Sequence, residues 1–271
     1  MSRGFRGQRH DPARRRGPAF LVPGRGLFKP QRLSKAASSL VAEWSSRLVA
    51  MRRRDAFPLI LLLVDAVALV ASSIHAKDRL TWWLEVAPFL IALPALVLTY
   101  RRMRLTNLVY ALIALHACIL FVGGHYTYAE VPLGFWAEHV FGWSRNNYDR
   151  LGHFFQGFVP ALVTREVLLR ATPLRRGGWL FFLTVCVCLA GSALYELLEW
   201  RVAVGLGQSA DAFLGTQGDP WDTQEDMATA LVGAILALLL LSRVQDRALL
   251  RQSNFGESRP HPSPREGDIA G

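Results

Sequence analysis

Hydrophobic positions in this chain do not recur at a helical or strand period; they gather into long blocks separated by Arg-rich or acidic connectors. About 20 apolar residues in a helix cross a hydrocarbon core of about 30 Å. Blocks of this kind occur at about 57–74, 82–100, 105–122, 151–169, 178–200 and 223–241. They predict an all-α fold, a polytopic transmembrane helix bundle of about six spans. The block at 151–169 is the most polar, with His153, Gln156, Arg165 and Glu166. It is expected to cross with those groups turned toward neighbouring helices, because an ionisable side chain in hydrocarbon costs at least a few kcal/mol. The connector 125–150 holds Tyr126, Tyr128, Trp136 and Trp143, which predicts a loop lying on the membrane surface.

Charge sharpens this picture because it is uneven. The net charge of +10 belongs to residues 1–54, where 14 Lys and Arg stand against Asp11 and Glu43 alone. That arm is read as largely disordered and cytoplasmic, 55–245 as the transmembrane domain, and 246–271 as a disordered cytoplasmic tail. The arm is expected to lie against anionic lipid, and no specific nucleic-acid binding is expected of it. Met51, followed by Arg52, Arg53 and Arg54, reads as an alternative translation start; Asp65 argues for a retained anchor rather than a cleaved signal. The arm, 101–104, 170–176 and the segment after 242 are Arg-rich, whereas the other connectors are mixed or acidic. That alternation places both termini in the cytoplasm of a bacterial inner membrane. Cys118, Cys186 and Cys188 all lie in apolar blocks and are expected to fill space.

The topology brings chemistry-bearing residues to one depth. Asp149 and His153 open the fourth block, Glu196 and Glu199 close the fifth, and Asp222 and Asp226 open the sixth. Each pair has the spacing that puts both members on one helical face. Two chemistries fit. His153, Glu196 and Asp149 are candidates for general acid–base work on a lipid-linked or periplasmic substrate. His153, Glu196, Glu199, Asp222 and Asp226 are candidates for a divalent metal site, although HxxH and HExxH spacings are absent. The plainer alternatives are that Asp149 caps a helix, that Thr223 and Asp226 form a capping box, and that Glu199 is solvated at the interface. Asp65 and Glu85 are expected to pair with each other or with Arg165, and His116 to be a buried, hydrogen-bonded histidine.

Four stretches, in order, are similar to signatures of the YjdF-like family of bacterial inner-membrane proteins: GGHYTYAEVP at 123–132, RNNYDRLGHF at 145–154, YELLEW at 195–200 and AFLGTQGDPWDTQ at 212–224. The resemblance covers about 55–250 and implies a multi-helix membrane domain. The order Asp149, Arg150, His153, Phe154, then Glu196, then Asp222 and Asp226 also resembles the VanZ-like membrane proteins, with Arg150 where that motif has lysine. That likeness implies a cell-envelope role and tilts the site toward the outer face.

Three functions follow for an integral membrane protein of this kind. The first is a polar His/Glu/Asp site near the outer leaflet that binds or processes an envelope or lipid-linked molecule. The second is a small transporter or channel, which requires Asp65, Glu85, His116 and Arg165 to line up with the outer cluster. The third is a structural subunit that uses the aromatic connector. The sequence contains no signature of a P-loop, dinucleotide site, zinc protease or serine nucleophile.

Overall fold

Long runs of apolar residues with few interruptions have one way to satisfy their backbone in lipid, and they form helices. The computed structural model describes residues 55–206 and 216–257, with side chains at all of them except 206 and 253–257. Among these residues there are seven α-helices and one 3-10 turn, and no strand. They are α1 (Asp55–Ser73), α2 (Arg79–Thr99), α3 (Asn107–Tyr126), the 3-10 turn Tyr128–Glu130, α4 (Pro132–Phe141), α5 (Tyr148–Ala171), α6 (Gly178–Leu206) and α7 (Asp222–Glu257). Five of them, α1, α2, α3, α6 and α7, are long and apolar enough to cross a membrane. Their outward faces carry Leu59, Ile91, Leu98, Phe182 and Leu239, all exposed, as helices in contact with lipid require.

α5 differs from these five. Its 24 residues suffice in length, but it buries Asp149, His153, Arg165 and Glu166 against α3, α6 and α7. It is the central helix of the bundle. Its tightest neighbour is α7, and small residues set the separation. A Cβ on Gly157 would stand 1.7 Å from the Ala230 carbonyl oxygen, and one on Gly233 would stand 2.1 Å from that of Phe154. Below this crossing, Leu105, Val109, Ala161, Leu162, Cys188, Ala234, Ala237 and Leu238 form a buried apolar layer.

Polar groups collect at both ends of this layer. At one end, Glu166, fully buried, accepts from Thr106 N and Thr106 Oγ1 at 2.9 Å each and from Arg170 Nη1 at 2.9 Å. Arg165 donates there to Gln245 Oε1 at 2.9 Å and to Asp246 Oδ1 at 2.8 Å. The expected pairing of Arg165 with Asp65 or Glu85 does not occur, because about 16 residues of helix, roughly 24 Å, separate this end of α5 from the other. Asp65 lies instead beside Cys118 Sγ, at 3.9 Å.

Two boundaries differ from the sequence reading. α7 continues through the residues assigned to the tail as far as Glu257, held by Asp246 and by Gln252 Nε2, which donates to Arg104 O at 2.8 Å. The basic arm 1–54 and residues 258–271 lie outside the described residues. The aromatic connector also folds more than a surface loop would. Its 3-10 turn leads into α4, which starts on Pro132, stops at left-handed Gly142 (φ +67°) and leaves Leu133, Phe135, Trp136 and Val140 exposed.

Candidate functional site

The opposite end of the bundle gathers the ends of α3 and α6 and the starts of α2, α5 and α7, and one asparagine organises the approach to it. Asn146 Nδ2 donates to Val131 O at 3.0 Å, and its Oδ1 accepts from Tyr148 N at 3.1 Å. Its backbone exchanges hydrogen bonds with the Gln217 amide, at 2.8 and 3.2 Å. Gly134 leaves the space, since a Cβ there would stand 1.7 Å from Asn146 Oδ1. Asn146→Ala strands the buried Val131 carbonyl and Tyr148 amide, so it should cost about 1–3 kcal/mol. A thermal-unfolding midpoint equal to that of the unmodified protein would contradict this account of the loop.

From Asn146 the chain enters α5, and the first two turns carry the centre of the site. His153 is buried, with Nε2 at 3.5 Å from Asp149 Oδ1 and 3.8 Å from Asp226 Oδ2. On its other side, Nδ1 lies 2.8 Å from Gln156 Oε1 and 3.5 Å from Glu196 Oε1. Glu196 reaches across from α6, where its carboxylate also bonds Thr223. Its Oε1 is buried and makes no hydrogen bond. Glu199, one turn on and half-buried, lines the same space.

The capping alternatives are not what these side chains do. The α5 N-cap is Asn147, without a side-chain bond, and Asp149 faces His153. Asp226 accepts from Arg150 Nη1 at 3.1 Å rather than closing a capping box with Thr223.

Asp222 belongs to a different neighbourhood from the other candidates. Arg145 Nη2 meets its Oδ1 at 2.8 Å and Arg150 Nη2 at 3.3 Å. Asp219 takes the same two guanidinium groups at 3.0 and 3.2 Å, and Glu225 meets Arg150 at 2.6 Å. These two arginines therefore form a lid of ion pairs over the start of α7. They were legible only as motif residues, because nothing in linear spacing says which acid an arginine will meet across 70 residues.

Beside His153 is a cavity of about 40 Å³, room for a few water-sized groups. Glu85, Pro88, His116, Leu120, Tyr128, Gly152, Gln156 and Tyr195 complete its lining together with Asp149, His153 and Glu199. Glu85 bonds Tyr128, and His116 Nε2 is buried without a hydrogen bond, contrary to the expected bonded histidine. The paired glycines of the first motif explain how these elements approach. A Cβ on Gly123 would stand 2.4 Å from the Tyr128 ring, one on Gly152 2.8 Å from it, and one on Gly124 3.2 Å from Glu85 Cβ. Carboxylates and an imidazole this close can hold a metal ion: Asp149, His153 and Asp226 form one such group, and His153, Glu196 and Glu199 a second.

Comparison with known proteins adds an identity of kind. Residues 57–247 match the family described as "Predicted membrane protein (DUF2238)". The chain is 53% identical, over 197 residues, to the "Inner membrane protein YjdF" of Escherichia coli (strain K12), covering 72% of this chain and 94% of that protein. No solved structure matches.

Proposed function

The chain belongs to the DUF2238 family of predicted membrane proteins and is an integral inner-membrane protein, and from that premise we propose that its polar pocket binds or processes an envelope or lipid-linked molecule at the outer leaflet. In this reading α5 is a sixth span, crossing with its polar face enclosed by α3, α6 and α7. Both termini are cytoplasmic. The Arg-rich connectors at 101–104 and 170–176 lie at the end of the bundle opposite the pocket, and the positive-inside rule puts that end in the cytoplasm. The order of Asp149, His153, Glu196, Asp222 and Asp226, similar to that of VanZ-like proteins, agrees with an outward-facing site.

The observation that carries the reading is convergence. Glu85, His116, Asp149, His153 and Glu199, drawn from α2, α3, α5 and α6, line one small cavity, and Glu196 and Asp226 approach His153 from α6 and α7. In that arrangement His153 and Glu196 are the groups placed to meet the polar end of a ligand, with Asp149 orienting the imidazole. The cavity accommodates the polar end of a ligand rather than the whole of it, and the exposed aromatics of α4 offer apolar surface nearby. Transport is disfavoured. A continuous polar path would have to cross the apolar layer around Leu162, Ala234 and Leu238, while Arg165 and Asp65 sit in separate networks.

The test is retention of a molecule from the cell envelope. Protein extracted from its native membrane in polymer-bounded lipid discs is expected to enrich one envelope-derived species, identified by mass spectrometry. His153→Ala and Glu196→Gln should each reduce that enrichment at least about tenfold at unchanged abundance and melting temperature. The same species at the same level in all three proteins, or no enrichment in any, rejects the reading.

A further inference from the structure

We infer that the pocket holds one divalent cation, of the manganese or zinc class, through His153 Nδ1, Glu196 and Glu199, with the Gln156 amide oxygen beside them. The inference rests on the reading of this pocket as the working site of the protein, and it narrows that site to the α6 side of His153.

The charges around His153 do not balance. Arg145 and Arg150 are engaged by Asp219, Asp222, Glu225 and Asp226. Glu196 and Glu199 pair with no guanidinium or ammonium group among the described residues, and Glu85 and Asp149 line the cavity together with Glu199. Carboxylates taken out of water need a cation or a proton to stay there. A single imidazole cannot neutralise this set.

One buried acceptor also stands alone. Glu196 is 5% exposed, and its Oε1 makes no hydrogen bond while pointing at His153 Nδ1 from 3.5 Å. In the tautomer whose proton is on Nε2, a carboxylate oxygen without a hydrogen bond opposite Nδ1 has the arrangement of two ligands facing a common ion. One ligand atom each from His153, Glu196 and Glu199 lies within 4.8 Å of the other two. Ligands about 2.0–2.2 Å from a shared metal lie roughly 3–4 Å apart, so rotamer adjustments of about an ångström close the site. Gln156 Oε1, at 2.8 Å from Nδ1, is placed to become a further oxygen ligand.

The rival group, Asp149, His153 and Asp226, is equally close. A cation there would face the Arg150 guanidinium, which already lies 3.1 Å from Asp226 Oδ1. Asp149 suits a different task. At 3.5 Å from Nε2 it accepts the distal N–H and leaves Nδ1 free to ligate. One nitrogen among several oxygens favours manganese or zinc over magnesium and calcium, which take oxygen alone.

Full-length protein in lipid nanodiscs, stripped with chelator, would be titrated with Mn²⁺ and read by loss of the free-ion electron paramagnetic resonance signal; Zn²⁺ would be added in competition. One equivalent per chain is expected, displaced by zinc. Glu196→Gln and Glu199→Gln should each weaken binding at least about tenfold, and Asp149→Asn by about 10–100-fold. The remote Asp246→Asn should stay within about threefold of the unmodified protein, and Asp226→Asn should weaken binding less than either glutamate substitution. Glu199 is only half-buried, so Glu199→Gln keeps the test decisive even if Glu196→Gln does not fold. No saturable binding below about 1 mM overturns the inference, as does normal binding by Glu199→Gln or its loss in Asp226→Asn. Protein that binds no Mn²⁺ but retains its envelope molecule would sink the metal and leave the binding function standing. A metal bound by protein that retains no such molecule would do the reverse.

Discussion

Glu166→Ala is expected to destabilise the protein by about 3–5 kcal/mol, the cost of breaking a buried charged network by removing one member. The loss is large because Glu166 does several things at once. Its carboxylate caps α3 from another helix: Thr106 occupies the α3 N-cap without a side-chain cap bond of its own, and its amide and hydroxyl both donate to Glu166. Arg170, one turn further along α5, and Gln245 on α7 complete the cluster, the latter at 3.4 Å. With alanine in place, the Thr106 amide and hydroxyl stay buried without acceptors, whereas Arg170 is exposed enough to reach water. Glu166→Gln keeps an acceptor for Thr106 and should cost less. Reversible unfolding in lipid bicelles measures the series. An alanine variant within about 1 kcal/mol of the unmodified protein would show that the network is an incidental contact.

Gly157→Ala is the second substitution of large effect, and its cause is steric. The added methyl group would stand 1.7 Å from the Ala230 carbonyl oxygen and 2.9 Å from its Cα. Those are backbone atoms and cannot rotate away, so α5 and α7 must separate. The expected loss reaches or exceeds the upper end of the range for overpacking, about 3 kcal/mol. The consequence also reaches the site: Ala230 is one turn from Asp226, and displacing α7 pulls Asp226 from Arg150 and His153. The control is Gly191→Ala on α6, where a Cβ meets nothing within 4 Å. That variant should be neutral in the same unfolding measurement. Equal melting temperatures for the two alanine variants would mean that the α5–α7 crossing does not depend on close backbone approach.

The two substitutions also separate the two ends of the bundle. Glu166 lies on the far side of the apolar layer from His153, so Glu166→Gln should leave the pocket's chemistry intact. Gly157 lies beside the pocket, one turn beyond His153, and damage there should show in both stability and binding. Small residues thus serve the same purpose twice, at the α5–α7 crossing and around Tyr128, where Gly123 and Gly152 admit an aromatic ring between helices.

The helical class, the apolar blocks that become α1, α2, α3, α6 and α7, and the shared end of the helices at which the candidate residues lie were all legible along the chain. Those properties are local. A block of apolar residues is visible at its own positions, and a spacing of three or four residues settles which side chains share a helical face. Asp149 with His153, Glu196 with Glu199 and Asp222 with Asp226 therefore came out together at one end, as their spacing and the chain's reversals required. The tertiary structure alone decided the rest: that Asp222 is neutralised by Arg145 and Arg150, that Glu85, His116, Tyr128 and Tyr195 line the pocket, and that Arg165 turns to Gln245 and Asp246. Each of those outcomes depends on how far one helix is rotated about its axis and how closely it approaches the next. Both are set by the volumes of residues such as Gly157, Gly233 and Ala230, which act between helices and leave no periodic mark along the chain.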